Sequence, residues 1–148
     1  MDQFIGKKIL VVAADWPWPP NYAARIDVLD RLQVLNELGF VVDLIVTAGI
    51  EHGQISYGDL SIVNKVIVIQ RKSGIIDKLG IIRPGQITSR SLLSKYVFSE
   101  NYNYVILEGH YVYGILKNKT LKYDKLIIRV NNDERKYFLS LALSKFNI

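Results

Sequence analysis

The sequence predicts an α/β domain, a doubly wound open parallel sheet with helices on both faces. Three observations predict it. Continuous aliphatic runs of strand length recur along the 148 residues. They alternate with segments whose apolar residues return every three or four positions. Residues 8–47 already read as strand, helix, glycine and strand, which is a right-handed βαβ unit.

KILVVAA, Lys8 to Ala14, has the unbroken aliphatic character of a parallel strand covered on both faces. From Ala24 to Leu38 the apolar residues fall at Val28, Leu29, Leu32, Leu35 and Leu38, one stripe of an amphipathic helix. Arg25, Asp30, Arg31 and Glu37 are left for the solvent side. Gly39 supplies the left-handed residue that stops this helix, and VVDLIVT, Val41 to Thr47, is the second strand. Residues 48–62 mix glycine with polar residues and read as loop. KVIVIQ, Lys65 to Gln70, is the third strand, and Thr88 to Ser99 reads as helix through Leu92, Leu93, Tyr96 and Val97. YVILEG, Tyr104 to Gly109, is the fourth strand, followed by a short helix from Tyr111 to Lys117 and a fifth strand, Lys125 to Val130. A last helix opens on Asn132 or Asp133 as cap, with Tyr137, Leu141 and Phe146 among its apolar residues. Residues 1–148 are expected to form a single Rossmann-like domain with no internal repeat.

Composition narrows the chemistry. Lysine and arginine outnumber acids 19 to 14, a net charge of +5 that favours anionic partners without choosing among them. The absence of cysteine excludes disulfides, thiol catalysis and thiolate metal sites, and two histidines exclude a histidine-rich one. No metal site is expected, and nothing beyond charge argues for nucleic acid. The apolar stretch after Lys7 and Lys8 stops at Asp15, too early for a signal peptide, and no run approaches the ~20 apolar residues of a membrane span.

Ligands of such sheets bind beyond the carboxyl ends of the strands. Four segments stand there: Asp15 to Ala24, Thr47 to Gly49, Glu108 to Tyr111 and Asn131 to Glu134. If the first and fourth strands are neighbours, the first and third of these segments line one crevice. Neither GxGxxG nor GxxxxGK[ST] occurs, so the glycine cradles for dinucleotides and P-loop phosphates drop out. Instead Pro17, Pro19 and Pro20 fix an extended loop. That loop can present Trp16 and Trp18 as flat platforms for a sugar or aglycone, or can pack them over the helix ends. Glu108 can orient a neighbour or simply end its strand. Asn132 and Glu134 can bond substrate hydroxyls or serve as ordinary helix capping. Arg129, in an aliphatic strand, suits a phosphate or a carboxylate partner equally. Between Arg71 and Lys95, the cations Arg71, Lys72, Lys78, Arg83, Arg90 and Lys95 face one acid, Asp77, among isoleucines and leucines. That mixture suits either a solvated loop or an anionic membrane surface.

The run KILVVAADWPWPPNYAARIDVLDRLQVLNELGFVVDLIVT resembles the opening of retaining GT-B-fold glycosyltransferases of the family 4-like group. YVILEGHYV is similar to that family's strand ending in histidine, and LIIRVNNDERKYFLSLA to its Arg-x-His-Asn-x-Glu segment. The resemblance covers nearly the whole chain. It implies the acceptor-side, N-terminal half of an enzyme that moves a sugar from a nucleotide-sugar donor to a carbohydrate or lipid-linked acceptor, with no metal and no further cofactor. His110 would then be the catalytic residue beside the transferred sugar, and Ala23 and Ala24 stand where relatives carry a Gly-Gly pair near the donor diphosphate. Their methyl groups crowd a close phosphate approach, and Asn131 replaces the family's histidine. The family's C-terminal donor-binding domain is not in these residues, so the chain alone is expected to be inactive. A cytoplasmic location, peripheral at the inner membrane face, is the matching expectation for a polysaccharide-building enzyme. A different class stays open on the residues themselves: a stand-alone Rossmann-like module that binds a ligand or partner without catalysis.

Overall fold

The computed structural model describes residues 4–49, 60–72 and 85–130. Five strands, β1 (Lys8–Ala13), β2 (Val41–Ala48), β3 (Lys65–Gln70), β4 (Asn101–Glu108) and β5 (Lys122–Arg129), form one sheet. Their order is β3-β2-β1-β4-β5 and every pair is parallel. This is the predicted Rossmann-like open sheet. The chain winds outward from β1 to β3, then returns to the other side of β1 for β4. The reversal leaves a crevice past the carboxyl ends of β1 and β4, whose register pairs Ala13 with Glu108.

Alternation along β1 divides the core into two layers. Ile9, Val11 and Ala13 face the helix α1 (Ala23–Glu37), where they meet Val28, Leu32 and Leu35 together with Val42, Leu44 and Val46 of β2. Leu10 and Val12 face the opposite side, against Leu93, Val112, Ile115 and Leu121. α1 ends as expected. The Phe40 amide donates to Leu35 (3.1 Å) and the Gly39 amide to Asn36 (2.9 Å), with Gly39 at φ 86°, a Schellman stop that only glycine enters without strain.

On the second face the expected helix from Thr88 to Ser99 is a short helix α2 (Gly85–Thr88) followed by a 3₁₀ turn, Ser91–Lys95. Its serines explain the break. The Ser89 hydroxyl donates to the Gln86 carbonyl (3.1 Å) and that of Ser94 to Ser91 (2.7 Å), competing with the helical ladder for the same acceptors. The expected helix after the fourth strand is likewise 3₁₀, His110–Lys117. β4 and β5 start three residues earlier than their aliphatic runs suggest. Side chains of Asn103 extend the pairing there, accepting from the Lys8 amide (3.0 Å) and donating to Asp124 (3.0 Å). The expected C-terminal helix, with Asn132 and Glu134, lies outside the described residues, as do Lys78 and Arg83.

Candidate functional site

A cavity of about 370 Å³ opens at the carboxyl edge where β1 and β4 run side by side. Ala13, Ala14 and Asp15 bring the end of β1 to it, and Glu108, Gly109, His110 and Tyr111 the end of β4. The segments after these two strands therefore meet in one crevice. Ala24 and Arg25 add the first turn of α1, Arg71 the segment after β3, and Gln86 and Arg90 the region of α2.

Asp15 organises one side of this cavity. Its carboxylate accepts from the Tyr22 hydroxyl (2.7 Å), Arg25 Nη2 (3.0 Å) and Arg71 Nη2 (2.9 Å). Burial alone would raise the Asp15 pKa, but the bonds from Tyr22 and Arg25 outweigh it and hold the carboxyl below its ordinary value. The Arg25 guanidinium lies over the Tyr22 ring, 4.8 Å from its centre. Arg90, 6% exposed, is more deeply set. Its Nη1 donates to the Gln86 carbonyl (2.6 Å), its Nη2 to that of Ala14 (3.0 Å) and its Nε to the Thr47 hydroxyl (3.0 Å). Burial first, and then the Arg71 charge, lower its pKa to about 10. Arg71 shares the Ala14 carbonyl (2.7 Å) and also donates to the Thr47 carbonyl (3.0 Å).

His110 lines the same cavity from the end of β4, its ring 4.0 Å from that of Tyr111. Gly109 sets its direction. At φ 85° and ψ 169° the glycine occupies backbone space closed to other residues, while a methyl group there would meet nothing within 4 Å, so conformation and not room demands glycine. Glu108 also reaches the cavity but is almost enclosed. Arg31 Nε lies 3.2 Å from one of its oxygens and Arg129 Nη1 3.1 Å from the other, and Arg129 bonds Asp27 as well (2.9 Å). Burial and, after it, the Asp27 carboxylate push the Glu108 carboxyl up to about 7.

Several expectations change. Trp16 and Trp18 are not platforms. Both are buried, 2% and 7% exposed, in the layer beneath α1 with Val28 and Leu32, their rings 5.1 Å apart, and neither lines the cavity. An indole offers its largest stabilisation when wholly enclosed, and the short loop turns both inward. Arg129 sits in the carboxylate cluster of Glu108 and Asp27, away from the cavity wall. Ala23 and Ala24 are the first residues of α1, exposed, with Ala24 on the cavity wall. The basic stretch expected at a surface gives up Arg71 and Arg90 to the cavity, because their long side chains reach main-chain oxygens at the ends of β1 and β2.

Asp15 and Tyr22 lay in a segment expected at the ligand edge, Arg71 and Arg90 in the basic stretch and Arg25 on the solvent side of its helix, but none of the five was singled out as a site residue. One signal was available for Arg71, which directly follows a strand, the position where such sheets place ligand contacts. Among the described residues no group of three or more His, Cys, Asp and Glu side chains forms a metal-ligand set, and no helix is long and apolar enough to cross a membrane.

No protein-family model matches the chain, and no solved structure matches it. A Klebsiella pneumoniae protein described as an uncharacterized 44.6 kDa protein in cps region is 40% identical over 139 residues, covering 90% of this chain. The chain spans 36% of that relative's length.

Proposed function

We propose that this chain is the acceptor-side, N-terminal domain of a retaining GT-B-fold glycosyltransferase that acts in polysaccharide assembly. The observation that carries the reading is the cavity at the reversal of strand order, with His110 on the wall that follows β4. The similarity to a longer protein from a cps, or capsule polysaccharide, region supports it. In this reading a second domain brings the sugar nucleotide, the acceptor sits in the cavity, and His110 lies beside the sugar as it transfers. Gly109 and Tyr111 hold the imidazole in place. Glu108, close to neutrality in its titration, is a second polar group at the same edge. Charge developing on the departing phosphate is stabilised between the two domains, so neither alone completes the reaction.

The test is a sugar-transfer assay. A panel of sugar nucleotides is offered, with polysaccharide-precursor lipids as acceptors, to this chain and to the longer Klebsiella pneumoniae relative. Transfer by the relative, with retention at the anomeric carbon and none by the chain alone, is the expected result. Absence of transfer with every donor overturns the enzyme reading in favour of a ligand-binding module. Turnover by the chain alone overturns the division between two domains.

A further inference from the structure

Three arginines from separate segments converge on the cavity: Arg25 in the first turn of α1, Arg71 just past β3, and Arg90 just past α2. Their counter-charge among the described residues is small. Asp15 pairs with Arg25 and Arg71 at 3.0 and 2.9 Å. The other carboxylate on the wall, Glu108, is engaged by Arg31 and Arg129, neither of which lines the cavity. Asp15 therefore faces three guanidiniums, and two positive charges stay unmatched among the described side chains.

Local geometry sharpens the imbalance. Arg71 and Arg90 both bond the Ala14 carbonyl and both reach Thr47, so two like charges are held side by side, Arg90 buried and Arg71 partly so. Burial and the Arg71 charge depress the Arg90 pKa. Arg25 Nε is buried with no hydrogen-bond partner. The amino end of α1, which borders the cavity at Ala24, has no side-chain cap and no acid in its first turn, and Asp15 is the carboxylate beside it. An anion with two charges and several acceptor oxygens would relieve each of these features together. Tyr22, Gln86 and Tyr111 complete the lining with two aromatic rings and an amide, groups of the kind that contact sugars.

We infer that the cavity binds a phosphorylated acceptor, a sugar joined through phosphate or diphosphate to its carrier, with the phosphate against Arg25, Arg71 and Arg90 and the sugar toward His110 and Tyr111. This rests on the transferase reading for its sugar and its role as acceptor, whereas the anion follows from the arginines alone.

Calorimetric titration of the 148-residue chain with pyrophosphate, farnesyl diphosphate, uridine diphosphate and methyl glucoside tests it. Pyrophosphate is expected to bind with an affinity that falls as salt rises, and methyl glucoside not to bind measurably. Arg25→Met weakens pyrophosphate about tenfold, ~1.4 kcal/mol, and Arg25→Lys recovers part of the loss. Because Arg90 ties three segments together, the wild-type titration and the Arg25 pair carry the test without it. Farnesyl diphosphate binding more tightly than pyrophosphate identifies a lipid carrier, and binding equal or weaker identifies a soluble phosphorylated sugar; both keep the phosphate site. No pyrophosphate binding by the wild type overturns the inference and leaves a transferase with a neutral acceptor standing. Uridine diphosphate bound about tenfold or more tighter than pyrophosphate assigns the cavity to the donor and overturns it as well.

Discussion

Arg71 and Arg90 meet on one main-chain oxygen: their Nη2 atoms lie 2.7 and 3.0 Å from the carbonyl of Ala14. That oxygen stands just past β1, where the sheet's ladder has ended and an acceptor needs a partner from elsewhere. Residues 57 and 76 positions along the chain supply it. The bonds that shape the cavity are thus the bonds that tie the segments after β3 and α2 to the central strand.

Arg90→Ala should accordingly destabilise the fold by about 3 kcal/mol, since it strips the Gln86 carbonyl and the Thr47 hydroxyl of a buried charged donor and leaves the Ala14 carbonyl to Arg71 and Thr47. Denaturant unfolding measures it. A loss under ~1 kcal/mol would mean that these bonds are peripheral to stability.

The tryptophans make a parallel prediction with a different cause. Trp16→Ala should cost about 3–5 kcal/mol, the range for removing a large aromatic from a packed core. Equilibrium unfolding of this variant with wild-type-like stability would return Trp16 to the role of an exposed platform.

Asp15 confers a pH dependence of fixed sign. Its pKa in the folded protein is below the unfolded value, so it contributes stability above the ordinary carboxyl range and loses it as pH falls through the folded value. Asp15→Asn should be destabilising near neutrality, with the gap to wild type narrowing as pH drops below about 4. Urea unfolding at a series of pH values checks it. A gap that widens on acidification contradicts the assignment.

At Gly109 the prediction separates conformation from space. Gly109→Ala should cost about 1–3 kcal/mol although the new methyl group touches nothing, because alanine avoids φ near 85°. His110 would be redirected with it. An unchanged unfolding midpoint for this variant would show that another backbone conformation serves equally well.

Much of the frame was legible in the residues. KILVVAA and VVDLIVT could only be buried strands, and the stripe Val28, Leu32, Leu35 closed by Gly39 only a helix packed on them, since local pattern and tertiary role agree there. From Thr88 to Ser99 they disagree. The apolar spacing of Leu92, Leu93, Tyr96 and Val97 is helical, but the serines divert the carbonyls, and hydrophobic period alone does not register that competition. His110 and Glu108 were recognisable by their place after a strand. Arg71 and Arg90 were not, because their partners Ala14 and Thr47 are distant in sequence and the charges looked like neighbours of Lys78 and Arg83. The tryptophan loop misled through its prolines: rigidity was legible, the direction of the indoles was not.

The most direct measurement of the central claim, that ligand binds where β1 and β4 end, is a map of amide chemical shifts in the chain titrated with pyrophosphate. The account predicts that the largest changes fall at Ala14, Asp15, Ala24, Arg25, Gly109 and His110, with residues at the amino ends of the strands, such as Lys8 and Val41, unmoved. Changes concentrated at that opposite edge, or spread evenly over surface lysines, would contradict it.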